Sequence, residues 1–278
     1  MRPPRADIAA PNLPADLEWV GRAPRTMPLA TARGPVLVHF FDFAQLNSVR
    51  TIPYLSEWAR RYARSGLTVL GVNSPRSPFT APAEAVAAGC ARLGIEFPVA
   101  VDSGHELWHA YGCEGWPSLF LWGRGGALRW FHFGEGEYRA TEEAIQEELR
   151  AGDPEADLEL PGPMEPIRPA DAAGALVAPP SEEIFPGGSP AQPWAPPTPA
   201  DELEISYTAG GAYLSADGEG TVGVSLDGAP ARELVIDGPG LYELSSHERH
   251  GAHTVVLRAS EGVGIWSVSF AAGLPSAA

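Results

Sequence analysis

Few side chains in this chain are equipped for chemistry. Cys90 and Cys113 are its only cysteines, too few for a disulfide framework or a four-thiolate metal site. All 19 basic residues are arginine, so Schiff-base chemistry and a phosphate-loop lysine are excluded. In His247-Glu248-Arg249-His250-Gly251-Ala252-His253 the histidines stand at a spacing that binds zinc when a loop gathers them. Arg249 sets a cation beside them, and the stretch reads as a solvated hairpin loop. Ser48, Asp42 and His39 supply the residue types of a hydrolytic triad. Strand alternation does not converge them, and no Gly-x-Ser-x-Gly elbow is present. Gly123-Arg124-Gly125-Gly126 reads as a hairpin turn, because no helix follows to present amides to a phosphate. No cofactor and no metal site is expected.

Charge narrows the partners. The 278 residues carry a formal charge of −16, which argues against a nucleic-acid partner and against docking on anionic lipid. Residues 1–150 hold 15 Arg and 16 acidic residues, a balance of −1, whereas residues 151–278 hold 4 Arg and 19 acidic, a balance of −15. Thirteen of the 29 prolines fall between 151 and 200, in runs such as Pro161-Gly162-Pro163 and Pro179-Pro180. Such a stretch forms neither helix nor central strand. It predicts three parts: a domain over 1–150, an acidic Pro-rich linker over 151–202, and a second domain over 203–278. Ile184, Phe185 and Trp194 are the side chains that would pin the linker to a domain. No apolar targeting stretch and no membrane span is read, so a cytoplasmic location is the expectation, and the Ala/Gly/Pro/Arg bias suggests a bacterial origin.

The elements that would position the chemistry alternate in the first domain. Val36–Phe41 and Thr68–Val72 are short apolar, β-branched runs suited to buried strands, and Phe97–Val101 reads as a third. Helical patterns run through Val49, Ile52, Leu55, Ala59 and Tyr62, over Glu84–Leu93 with Gly94 as its C-cap, over His105–Tyr111, and over Thr141–Leu149. Ser118–Trp122 and Leu128–Phe133 read as a hairpin. The order βαβα then ββα implies an α/β sheet with an antiparallel edge. From Leu203 the pattern is all-β: Leu203–Thr208, Ala212–Ser215, Thr221–Leu226, Glu233–Ile236, Leu241–Leu244, Thr254–Arg258 and Ile265–Phe270. About seven strands in about 75 residues suggest a small β-sandwich.

The first domain resembles the thioredoxin superfamily, in particular the redoxin, TlpA-type domains of DipZ-like and NHL-repeat-containing proteins. The carriers are the Phe40-Phe41 strand end, Pro53 in the next helix, Gly71-Val72-Asn73-Ser74-Pro75, Glu106-Leu107-Trp108, and Tyr111-Gly112-Cys113-Glu114-Gly115-Trp116-Pro117-Ser118-Leu119. The resemblance implies a cis Pro117 facing the functional site. It also places Gln45-Leu46-Asn47-Ser48 where active relatives carry Cys-x-x-Cys, with Gln45 at the nucleophile and Ser48 at the resolving position. A glutamine cannot attack sulfur. Asn47 and Ser48 read as helix-capping residues.

The expectation is therefore a thioredoxin-like protein with a degenerate active site, leaning away from an enzyme. It would bind a protein or extended peptide through Gln45, Asn47, Ser48, Trp116 and Pro117. An oxidoreductase of altered chemistry working through Cys113 is the alternative. The second domain is similar to the sandwich module that follows in DipZ-type proteins, reminiscent of carbohydrate-binding modules. A carbohydrate would need exposed aromatic platforms, for which Tyr207, Tyr213, Tyr242 and Trp266 are available.

Overall fold

Val36–Phe41 is buried at every position, and this makes it the centre of the first sheet. A strand covered on both faces reads as a continuous apolar run, because neither face meets water. In the computed structural model, which describes all residues except 4, 6, 23, 25, 153–157, 197–200, 277 and 278, this strand is β2. It pairs in parallel with β3 (Thr68–Asn73) and antiparallel with β5 (Ser118–Trp122). With β1 (Glu18–Val20), β4 (Val99–Val101) and β6 (Leu128–Phe133), the six-stranded sheet runs β1-β4-β3-β2-β5-β6.

Helices cover both faces. On one, Val36, Val38 and Phe40 pack with Leu107, Trp108 and Tyr111 around α4 (Glu106–Ala110) and with Met27 of α1 (Met27–Thr31). Leu37, His39 and Phe41 point to the other face by strand alternation. There α2 (Leu46–Tyr62) buries Ile52, Leu55, Trp58 and Tyr62, and leaves its interior Pro53 exposed. α3 (Ala83–Arg92) ends before Gly94, whose φ of +63° suits the residue after a helix end. Inside α3, Gly89 lets the helix approach Phe43, since a Cβ there would stand 2.5 Å from the ring. α5 (Tyr138–Gly152) starts earlier and ends later than its sequence pattern indicates.

The chain divides into two compact units. The first comprises Met1–Phe43, Asn47–Pro75 and Ala81–Ile167; the second comprises Ala44–Leu46, Arg76–Thr80 and Arg168–Ala278. The proline-rich stretch is apportioned between them, residues 153–157 and 197–200 lying outside the described residues. In the first unit, Gln146 Nε2 donates to the Pro161 carbonyl at 2.9 Å and the Tyr54 hydroxyl accepts the Ile167 N–H at 2.8 Å. In the second, Ile184 and Trp194 form antiparallel bridges to Val268 and Ile265, and Ala178 bridges to Gly273. Two of the three expected pins thus act through backbone as well as side chain.

The second unit is all-β, and its strands are long. β7 (Leu203–Leu226) takes in three of the expected short runs, and β9 (Gly240–Ala259) takes in two. β8 (Arg232–Asp237) and β10 (Val263–Ala271) match the remaining pair. The register breaks at Ala209/Gly211, Ala212/Tyr213 and Ala216/Val222, where bulges let one strand turn a corner from one layer to the next. As a result Leu257 of β9 pairs with Leu203 on one side and with Val224 on the other. Ile205, Leu214, Val224, Val255, Leu257, Ile265 and Val268 fill the space between layers.

One expectation fails here. His247–His253 is no hairpin loop: it lies inside β9, with His253 opposite Tyr207 and Gly251 opposite Ala209. The stretch looks like a loop because it is polar and holds a glycine, but cross-strand pairing to β7 decides its conformation. Among the described residues, no helix is long and apolar enough to cross a membrane.

Candidate functional site

The turn from β2 into α2 carries the positions that the sequence singles out. Phe41 ends β2, Asp42 is buried behind it, and Leu46 opens α2. Ser48, fully buried in the first helical turn, accepts the Asp42 N–H through Oγ at 3.4 Å. Asn73, at the end of β3, accepts the Phe43 N–H through Oδ1 at 3.3 Å. Ser48 therefore stands inside the helix and ties the turn back to the strand, rather than occupying the cap position its residue type suggests. Asn47 is half-buried beside it, and Gln45 is half-buried in the Ala44–Leu46 segment grouped with the second unit.

Trp116 and Pro117 stand in the loop before β5, and the peptide bond between them is cis. Trp116 stacks on Trp108 with ring centroids 4.2 Å apart, and its indole N–H donates to the Ser74 carbonyl at 2.8 Å. The Ser74 hydroxyl donates to Asp102 Oδ2 at 2.8 Å. Asp102 also accepts the Leu107 and Trp108 N–H groups at 3.0 Å, which satisfies the open first turn of α4. Asp102 thus holds in place both the helix that carries Trp108 and the serine under Trp116. Sequence reading passed over it. The signal was an aspartate four residues before Glu106, at the entrance of a short helix.

The thiols are poorly placed for reaction. Burial pushes the half-buried Cys113 thiol up to about 12; the Asp102 charge acts in the same direction and a Ser118 hydrogen bond opposes both. Burial alone pushes Cys90, in α3, up to about 11. A reactive cysteine has the opposite environment, partly exposed and electropositive. His39 is fully buried with no hydrogen-bond partner at either ring nitrogen, so it relays no proton to Asp42 or Ser48. Among the described residues, no group of three His, Cys, Asp or Glu side chains is placed to hold a metal ion. In the second unit Tyr207, Tyr242 and Trp266 are buried and Tyr213 is half-buried, so the aromatic residues pack chiefly inward.

The AhpC/TSA family model matches residues 9–131. Protein DipZ of Mycobacterium tuberculosis is 27% identical over 298 aligned positions, which cover 94% of this chain and 42% of DipZ. The chain therefore spans less than half the length of that relative. Thiol-disulfide oxidoreductase YkuV of Bacillus subtilis is 27% identical over 115 residues, covering 41% of this chain and 77% of YkuV. Among solved structures, a thiol-disulfide isomerase from Corynebacterium glutamicum is similar at a TM-score of 0.45 and 27% identity, covering 50% of this chain and 96% of that one.

Proposed function

This chain is a thioredoxin-like member of the redoxin superfamily, and we propose that it uses the fold to hold a protein or extended peptide without exchanging disulfides. The observation that carries this reading is the chemistry at the motif. By the motif spacing of the resemblance, Gln45 and Ser48 fall where active relatives would carry thiols, and Ser48 is buried and already bonded to the Asp42 amide. Thiol–disulfide exchange begins with a thiolate attacking sulfur, and neither an amide nor a buried hydroxyl supplies one. Cys113 does not take over the role, because burial favours its protonated form. The features that support a binding role are the turn at Asn47 and Ser48 and a cis-proline loop braced by Trp108, Ser74 and Asp102.

The test uses the full chain and a reduced, alkylated unfolded protein as the probe. Saturable binding by fluorescence anisotropy, together with no reduction of insulin disulfides, is the expected pair of results. Replacing Trp116 by Ala weakens the binding about tenfold or more, as loss of a buried aromatic anchor does. Absence of binding, or disulfide reduction by the unmodified chain, overturns the proposal.

A further inference from the structure

Two histidines of β9 lie face to face. The rings of His247 and His253 are stacked with centroids 3.7 Å apart and planes 5° from parallel. Asp227, in the turn after β7, accepts from His253 Nδ1 through Oδ2 at 2.7 Å, and its other oxygen accepts the Thr254 N–H at 2.8 Å. Nδ1 of His253 therefore carries a proton, and the neutral ring keeps its lone pair on Nε2. On the second ring, His247 Nε2 meets the Tyr207 hydroxyl at 3.3 Å, and that hydroxyl also meets Ser245 Oγ at 2.9 Å. A cavity of about 430 Å³ adjoins the stack, lined by Ser181, Ser206, Thr208, Asp227, His253 and Thr254 among others.

β7 contributes Tyr207, the turn after it contributes Asp227, and β10 contributes Phe270, an uncharged ring stacked on Tyr207 at 4.8 Å. Among the described residues, Asp227 is the single carboxylate hydrogen-bonded to the pair. The stack also sits where pairing is thin. Tyr207↔His253, Thr208↔Ala252 and Ala209↔Gly251 are the last pairs before the register breaks at Ala209/Gly211.

We propose that the His247–His253 stack is a proton-operated latch: holding at most one proton it closes this corner of the β7–β9 pairing, and a second proton opens it. His253 Nδ1 already faces the Asp227 carboxylate. The second proton must go to His247, whose protonation burial opposes first and a charged His253 next, with Asp227 acting in the other direction. Parallel imidazolium rings in van der Waals contact repel, and the rings part by moving β9 away from Tyr207.

The experiment follows the histidine ring resonances of the full chain by NMR from pH 8 to pH 5, alongside backbone amide exchange corrected for its intrinsic pH dependence. The His247 titration, the one that brings the second proton, is expected below its ordinary value. With it, exchange at Tyr207–Ala209 and Gly251–His253 rises about tenfold or more, as local opening of a pairing does. His247→Phe keeps a flat ring in the stack and removes the second proton, so its corner stays protected at pH 5. Asp227→Asn, which leaves the stack itself in place, moves the opening to more acidic pH and serves if the Phe variant does not fold. Titration of His247 at the ordinary value of 6.5 overturns the proposal, as does unchanged protection between pH 8 and pH 5.

Discussion

The Tyr62 hydroxyl donates to Glu142 Oε1 at 2.6 Å in the interior of the first unit, joining α2 to α5. Glu142 is 2% exposed, and its other oxygen accepts the Met164 N–H at 2.8 Å. Gln146 completes the arrangement by donating from Nε2 to the Tyr62 hydroxyl at 2.8 Å and to the Pro161 carbonyl at 2.9 Å. A buried carboxylate persists only when its oxygens are satisfied, and here part of that satisfaction comes from a stretch of chain that has no regular structure. Replacing Glu142 by Ala strands the Tyr62 hydroxyl and the Met164 amide. The expected loss is about 2–4 kcal/mol by urea unfolding, with new protease cleavage near Pro161–Ile167 before global unfolding. Unchanged stability and no new cleavage near Pro161–Ile167 would show that the segment docks by other means.

His39 makes the first unit acid-sensitive. Burial lowers its pKa from 6.5 to about 3, and neither ring nitrogen has a partner. Above pH 6.5 the ring is neutral in folded and unfolded chains alike, and no pH dependence arises from it. Below 6.5 the unfolded chain takes up the proton while the folded one does not, so stability falls as pH drops toward 3. The slope is about 1.4 kcal/mol per pH unit, or about 2 kcal/mol between pH 6.5 and pH 5. Urea midpoints of the wild type and of His39→Leu measure this directly: the variant loses that part of the slope, and an identical slope in both would refute the assignment.

Thiol labelling separates a binding protein from a redox one. With Cys113 pushed up to about 12 and Cys90 to about 11, iodoacetamide at pH 8 is expected to modify both in the native chain about a hundredfold slower than free cysteine. Denaturant restores ordinary rates. Fast native labelling of Cys113 would revive the one-cysteine alternative.

Gly89→Ala tests whether the approach of α3 to Phe43 is as close as it stands. Helix propensity favours alanine by about 1 kcal/mol. The new Cβ would stand 2.5 Å from the Phe43 ring, so the ring must shift inside a packed interior. Net destabilisation of about 1–3 kcal/mol is expected from overpacking, read as a lower thermal midpoint. A higher midpoint would mean that the ring yields freely.

Much of this was legible in residue order. Val36–Phe41 announced a strand buried on both faces, and the carriers around Trp116-Pro117 marked the cis-proline loop found before β5. The runs of the second unit were each found as strand segments; their joining into β7 and β9 was not foreseen, because bulges at Ala209/Gly211 and Ala216/Val222 let strands pass through glycines that read as turns. The same blind spot hid the histidine stack, which exists only because β9 continues through Gly251. Asp102 was missed for another reason. Its role lies in three hydrogen bonds, one of them from Ser74, which is distant in sequence, and a lone aspartate before a short helix carries no signature of that.

The double engagement of Leu257 bears on the order in which the second unit can assemble. Its partners Leu203 and Val224 both precede it, the first by more than fifty positions, and β10 must still lie down along the middle of β7. Apart from the β7–β8 hairpin, in which Val224 pairs with Arg232, the strand pairings join residues distant in sequence, so much of the loop-closure cost falls due before most of the apolar burial is gained. Folding on the millisecond-to-second scale of non-local β topologies follows. A nascent chain that has emerged only through β8 displays the inner faces of β7 with nothing to cover them, and the α/β first unit, most of which precedes it in the chain, has every opportunity to be finished first.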